Sequence, residues 1–151
     1  MKSESVQTFV PQQPVTSLRQ FSQLLSATRR GARLARLLTM EQIVEWGWPR
    51  DSERAEAAEV VVAELATNAV VHGRLAGRGF RLGLMLLPDA RLRIEVTDPR
   101  GDLLPAASPV ADEGGRGLVI VDALTDGWGV LPYPPSGKTV WAEVALVRRR
   151  A

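Results

Sequence analysis

The chain has 151 residues, the length of one domain with a core of its own. Hydrophobic residues make up 45% and charged residues 24%, the balance of an ordinary globule, and the formal net charge is only +2. With no cysteine and one histidine, His72, disulfides and thiolate or His-cluster metal sites are excluded, and a Ser–His triad is disfavoured. The positive charge is nearly all arginine, scattered along the chain with few aromatics between, so no direct nucleic-acid partner is expected.

Residues 1–16 are polar and contain prolines, which reads as a flexible tail before a single domain over 17–151. No apolar run there is long enough for a signal peptide or a membrane span, so no membrane partner and a cytoplasmic location are expected. Phe21 to Leu25 reads as a short edge strand. From Arg29 to Trp46, apolar residues from Ala32 to Val44 recur at helical spacing, with Thr28 as the cap and Gly47-Trp48-Pro49 as the stop. A second helix starts near Asp51 or Ser52, both good caps, and runs to Gly73.

Two strands follow, Phe80–Leu87 and Arg91–Asp98, joined by a tight turn at Pro88-Asp89-Ala90. A loop rich in Pro, Gly and Asp covers 99–117, and a third helix spans Leu118–Leu124. Strands near Trp128–Leu131 and Thr139–Val147 complete the chain. The order predicts an α+β fold, with three helices on one face of a mostly antiparallel sheet.

Three places break the local rules. The segment Val60–Val71 is apolar nearly all round and should be largely buried, yet it contains Glu64 and Asn68, one turn apart on one face. A buried carboxylate needs compensation. A divalent cation held by Asn68 and phosphate oxygens provides it, and so does an arginine partner such as Arg29 or Arg33. Next, Arg91–Asp98 alternates strictly, which puts Asp98 on the same inward face as Leu92, Ile94 and Val96. There it either accepts a hydrogen bond from a buried base edge or caps the next turn. Finally, Glu113-Gly114-Gly115-Arg116-Gly117-Leu118 opens the third helix; it is an ordinary turn or a backbone cradle for phosphate. It matches neither a Walker P-loop nor the Rossmann fingerprint.

In this order the three sites resemble those of GHKL ATP-binding domains. Glu64-Leu65-Ala66-Thr67-Asn68-Ala69-Val70-Val71-His72-Gly73 is similar to the family's N box in the form used by anti-sigma factor serine kinases. Asp98 matches the adenine-reading aspartate, Gly115-Arg116-Gly117-Leu118 resembles the second glycine box, and Gly137-Lys138-Thr139-Val140-Trp141 resembles the late strand. The likeness covers residues 29–147 and implies a two-layer sandwich of Bergerat type. It implies that Glu64 is the general base, that Asn68 binds Mg²⁺, and that Asp98 and Thr139 hold the adenine of ATP. The backbone at Gly115 and Gly117 would hold phosphates, with Gly101, Arg116 and Leu118 in the same nucleotide site.

One box departs from the pattern. Asp98-Pro99-Arg100-Gly101-Asp102 stands where the family usually has Asp-x-Gly-x-Gly, so the first glycine is missing and the segment after Asp98 should start differently. The resemblance implies an anti-sigma factor with serine/threonine kinase activity toward a STAS-type antagonist. Its partners would be a sigma factor, that antagonist and, by the family's habit, a second copy of the chain. The alternative is a nucleotide-dependent module that sequesters a regulator without catalysis.

Overall fold

The computed structural model describes residues 19–102 and 113–147. The expected tail at 1–16, most of the loop at 99–117 and the last residues lie outside that description. Five strands and three helices follow in the order β1 (Arg19–Leu25), α1 (Arg29–Glu45), α2 (Glu53–Val71), β2 (Phe80–Leu87), β3 (Arg91–Asp98), α3 (Glu113–Leu124), β4 (Gly127–Tyr133) and β5 (Gly137–Ala145). The strands form one sheet in the order β1-β2-β3-β5-β4. Every neighbouring pair is antiparallel.

Local chemistry explains the boundaries. The Thr28 side chain accepts a hydrogen bond from the Gly31 N–H, and Ser52 does the same for Ala55, so each of the first two helices opens on a hydroxyl cap. Glu53 and Glu56 place negative charge at the positive end of α2. α1 ends at Gly47, whose φ of 103° few other residues adopt. The hairpin between β2 and β3 turns through Pro88–Ala90, with Asp89 and Ala90 both left-handed.

Period-two burial in β2 and β3 turns Phe80, Leu82, Leu84, Leu92, Ile94 and Val96 toward the helices. α2 lies between α1 and α3 and packs across β3 and β5. Its Val61, Val62, Leu65 and Ala66 are fully buried, and each of the larger side chains there contributes about 1.5–3 kcal/mol of burial. The small residues Ala55, Ala58 and Ala69 let the helix approach the sheet closely.

Three expectations need correction. α2 is not buried all round: Val60, Glu64, Thr67, Asn68 and Val71 form a stripe at helical spacing that is partly or fully open. The apolar content of Val60–Val71 masked this stripe, because Val60 and Val71 are exposed valines. α3 starts at Glu113 rather than at Leu118. Its glycines are poor helix formers, so periodicity alone detects only the part anchored by the buried Leu118 and Val121. The last two strands are also shifted, to Gly127–Tyr133 and Gly137–Ala145.

Candidate functional site

α2 presents Glu64 and Asn68 side by side on its open stripe, both half-buried. Burial raises the Glu64 carboxyl above its ordinary pKa of 4.5, and no cation among the described residues offsets that rise. Among the described residues, neither Arg29 nor Arg33 reaches it. The ion pair between α1 and α2 is instead Arg36 with Glu59, at 3.5 Å. Glu64 is therefore a desolvated acid one turn from a side-chain carbonyl.

At the end of α2, the backbone of Gly73 closes on Asp98. The Gly73 N–H donates to the carbonyls of Ala69 (3.0 Å) and Asn68 (3.3 Å), which holds the glycine at the helix end. A Cβ placed on Gly73 would lie 2.2 Å from Asp98 Oδ2. Asp98 itself is 4% exposed, on the inward phase expected for it.

The environment of Asp98 was only half visible in the sequence. Its Oδ1 accepts the Arg100 N–H at 2.8 Å, which is the turn-capping role. It is also ion-paired with Lys138, whose Nζ lies 3.0 Å from Oδ1 and 3.0 Å from Oδ2. Lys138 faces Asp98 directly across β3 and β5 and is 2% exposed. The signal for Lys138 lies in the alternation of β5. Lys138, Val140, Ala142 and Val144 share one phase, and a lysine in a core phase demands an acid.

Thr139 lies elsewhere. It occupies the opposite phase of β5 and pairs with Thr97, the two hydroxyls 2.7 Å apart. It is buried on the sheet face away from Asp98, beside Trp141, whose ring stacks with Arg93 at 4.5 Å. The structure therefore groups Asp98 with Lys138, not with Thr139.

The segment after Asp98 is pinned down. The Gly101 N–H donates to the Ser136 carbonyl at 2.7 Å, and a Cβ on Gly101 would meet the Gly137 carbonyl at 2.6 Å. Gly101 thus supplies close packing against the β4–β5 turn, and its own N–H is already engaged. Arg100 binds Asp102 through two parallel contacts of 2.9 Å, which lower the Asp102 carboxyl to about 2. A cleft of about 380 Å³ opens beside Asp98, lined by Arg78, Arg81, Thr97, Pro99, Ser136 and others. Its lining does not include Glu64 or Asn68.

Gly115, Arg116 and Gly117 fall within α3 and not in a loop before it. The free N–H groups of that helix start belong to its first residues, Glu113 to Gly115, while Gly117 lies deeper in the helical ladder. Leu118 is buried and belongs to the core. Among the described residues there is no cluster of three or more His, Asp or Glu side chains. No described helix is long and apolar enough to cross a membrane.

Comparison with known proteins agrees with this architecture. The profile of the histidine kinase-like ATPase domain matches residues 25–143. The chain therefore belongs to that family, and its resemblance to GHKL domains holds through the fold. An uncharacterized protein of Streptomyces coelicolor is 46% identical over 72 residues, which are 46% of this chain and 68% of the relative. Among solved structures, the RsbU and RsbW domains of Rv1364c from Mycobacterium tuberculosis share the fold, with a TM-score of 0.66 and 22% identity. That likeness covers 87% of this chain and 33% of that one. The SiaB–SiaC complex from Pseudomonas aeruginosa is similar at a TM-score of 0.62 and 12% identity, over 82% of this chain and 88% of that chain.

Proposed function

We propose that this domain binds ATP with Mg²⁺ and transfers the γ-phosphoryl group to a serine or threonine of a STAS-type anti-sigma factor antagonist. In the same reading it acts in the cytoplasm as an anti-sigma factor, and releases its sigma factor when the antagonist engages. Membership of an ATPase domain family implies ATP binding. The likeness of Glu64–Gly73 to the N box of anti-sigma factor serine kinases supports the rest.

One observation carries the catalytic reading: partial burial raises the Glu64 pKa, no cation among the described residues pulls it back down, and the carboxyl lies one turn from Asn68. A general base works best when its pKa approaches the working pH, and burial moves Glu64 in that direction. The acceptor hydroxyl would lose its proton to Glu64 as its oxygen bonds to the γ-phosphorus, while the bond to the β-phosphate oxygen breaks and ADP leaves. The donor set fits a hard cation, since Asn68 offers a neutral oxygen beside a carboxylate that no described residue pairs with. Asn68 would hold Mg²⁺, which supplies charge neutralisation on the phosphates when bound.

The test is incubation with γ-labelled ATP and Mg²⁺, alone and with a STAS-type protein encoded beside the gene. Label on a serine or threonine of that protein supports the kinase, and Glu64→Gln should lower transfer by about 10²–10⁴-fold. ATP binding without transfer to any such protein favours the second reading, a non-catalytic module that sequesters a regulator.

A further inference from the structure

The ion pair between Asp98 and Lys138 closes a circuit at the end of the sheet. An ammonium has three donors and no acceptor. Three oxygens surround this one: Asp98 Oδ1 and Oδ2, both at 3.0 Å, and the Arg100 carbonyl at 2.7 Å. Both side chains are 3% exposed. The carboxylate is equally committed. Oδ1 accepts from the Arg100 N–H and from Lys138, while Oδ2 takes Lys138 and packs against Gly73.

The amino group of adenine is a donor that needs one of those same oxygens. A neutral amine brings one hydrogen bond to the carboxylate, whereas the lysine brings a full charge and two contacts. Oδ1 already takes two donors and Oδ2 is crowded by Gly73 beside its one, so the base and the ammonium compete for the same oxygens. Lys138 has a long flexible stem, so its head can swing out toward solvent while the strand stays in register.

We propose that Lys138 is an internal competitor for the base: its ammonium holds Asp98 and must leave before adenine can bind there. This inference rests on the nucleotide reading above. Apparent affinity is then reduced by the fraction of molecules in which Lys138 is out. Nucleotide binding also releases the Arg100 carbonyl, which lies in the Pro99–Asp102 segment, so base recognition is coupled to the anchoring of that segment.

Calorimetric titration of the full chain with ATP and Mg²⁺, for the native protein and Lys138→Met, tests the idea. The methionine keeps the apolar stem and removes the donors. ATP should bind the variant at least tenfold more tightly than the native protein. Equal or weaker binding by the variant overturns the competitor role and leaves nucleotide binding standing. No binding by either folded protein overturns both. The variant leaves Asp98 buried without its partner, so a measurement on the native side chain covers the case in which it fails to fold. Lys2 and Lys138 are the only lysines, and Lys2→Arg leaves Lys138 alone to be observed by ¹⁵N NMR of its ammonium. Its signal should be protected from exchange in the free protein and should move or vanish at saturating ATP. A signal that stays in place at saturating ATP overturns the proposal.

Discussion

Gly73 ends α2 directly against Asp98, so that a Cβ at residue 73 would lie 2.2 Å from Oδ2 and 2.3 Å from Cγ. The helix that carries Glu64 and Asn68 is thus seated on the acid at the end of β3. Gly73→Ala must displace either the carboxylate or the helix end, at a cost of about 1–3 kcal/mol. We expect a lower melting temperature and weaker ATP binding together. Gly77→Ala is the control: φ is 76° and a Cβ there meets nothing within 4 Å, so any loss comes from backbone conformation alone. Native stability in Gly73→Ala would contradict the packing.

Asp98→Asn removes the only carboxylate in contact with Lys138 among the described residues. An ammonium that stays buried without its partner costs about 3–5 kcal/mol, and one that swings out to escape this gives up its three contacts instead. Urea denaturation should show that loss, and Asp98→Asn combined with Lys138→Met should recover part of it, because the stranded charge is gone. A double variant as unstable as the sum of the two single changes would show that the residues are not coupled.

Glu64 makes the opposite kind of prediction. Its pKa is higher in the folded chain than in the unfolded one, so the folded state binds the proton more tightly. Stability from this group therefore falls as pH rises from the ordinary glutamate pKa through the raised one, and the loss persists above it. Glu64→Gln should lack that decline and be at least as stable as the parent at neutral pH. Melting curves across roughly pH 4–8, from the carboxylate range to neutral, check it. A marked destabilisation by Glu64→Gln at neutral pH would reveal an ion-pair partner and remove the case for a base.

Arg54 ties the far end of the molecule together. Its Nε donates to the Ala145 carbonyl at 2.7 Å and its Nη2 to the Leu124 carbonyl at 3.4 Å, linking α2 to the ends of β5 and α3. Arg54→Met keeps the stem and strands two carbonyls, so a loss of about 1–3 kcal/mol is expected, read by urea denaturation. ATP affinity should be unchanged, because the contact is remote from Asp98 along β3 and β5.

The sequence was most legible where one physical rule dominated. Alternation in Phe80–Leu87 and Arg91–Asp98 fixed the central hairpin to the residue, and Thr28 and Ser52 marked their helix starts. It was less legible where competing rules met. The glycines of α3 hid a helix start that tertiary packing maintains, and exposed valines disguised the open stripe of α2. Lys138 and Thr139 are neighbours in sequence on opposite faces of β5. A motif read as a string selects the threonine, while strand phase selects the lysine.

Isothermal titration of the native chain with ATP and Mg²⁺ tests the central claim most directly, with Asp98→Asn as the comparison. The account predicts saturable binding at one site per chain, lost in the variant while its far-UV circular dichroism stays that of a folded protein. A folded native chain that takes up no heat-detectable ATP, or an Asp98→Asn variant that binds as tightly as the parent, would contradict it.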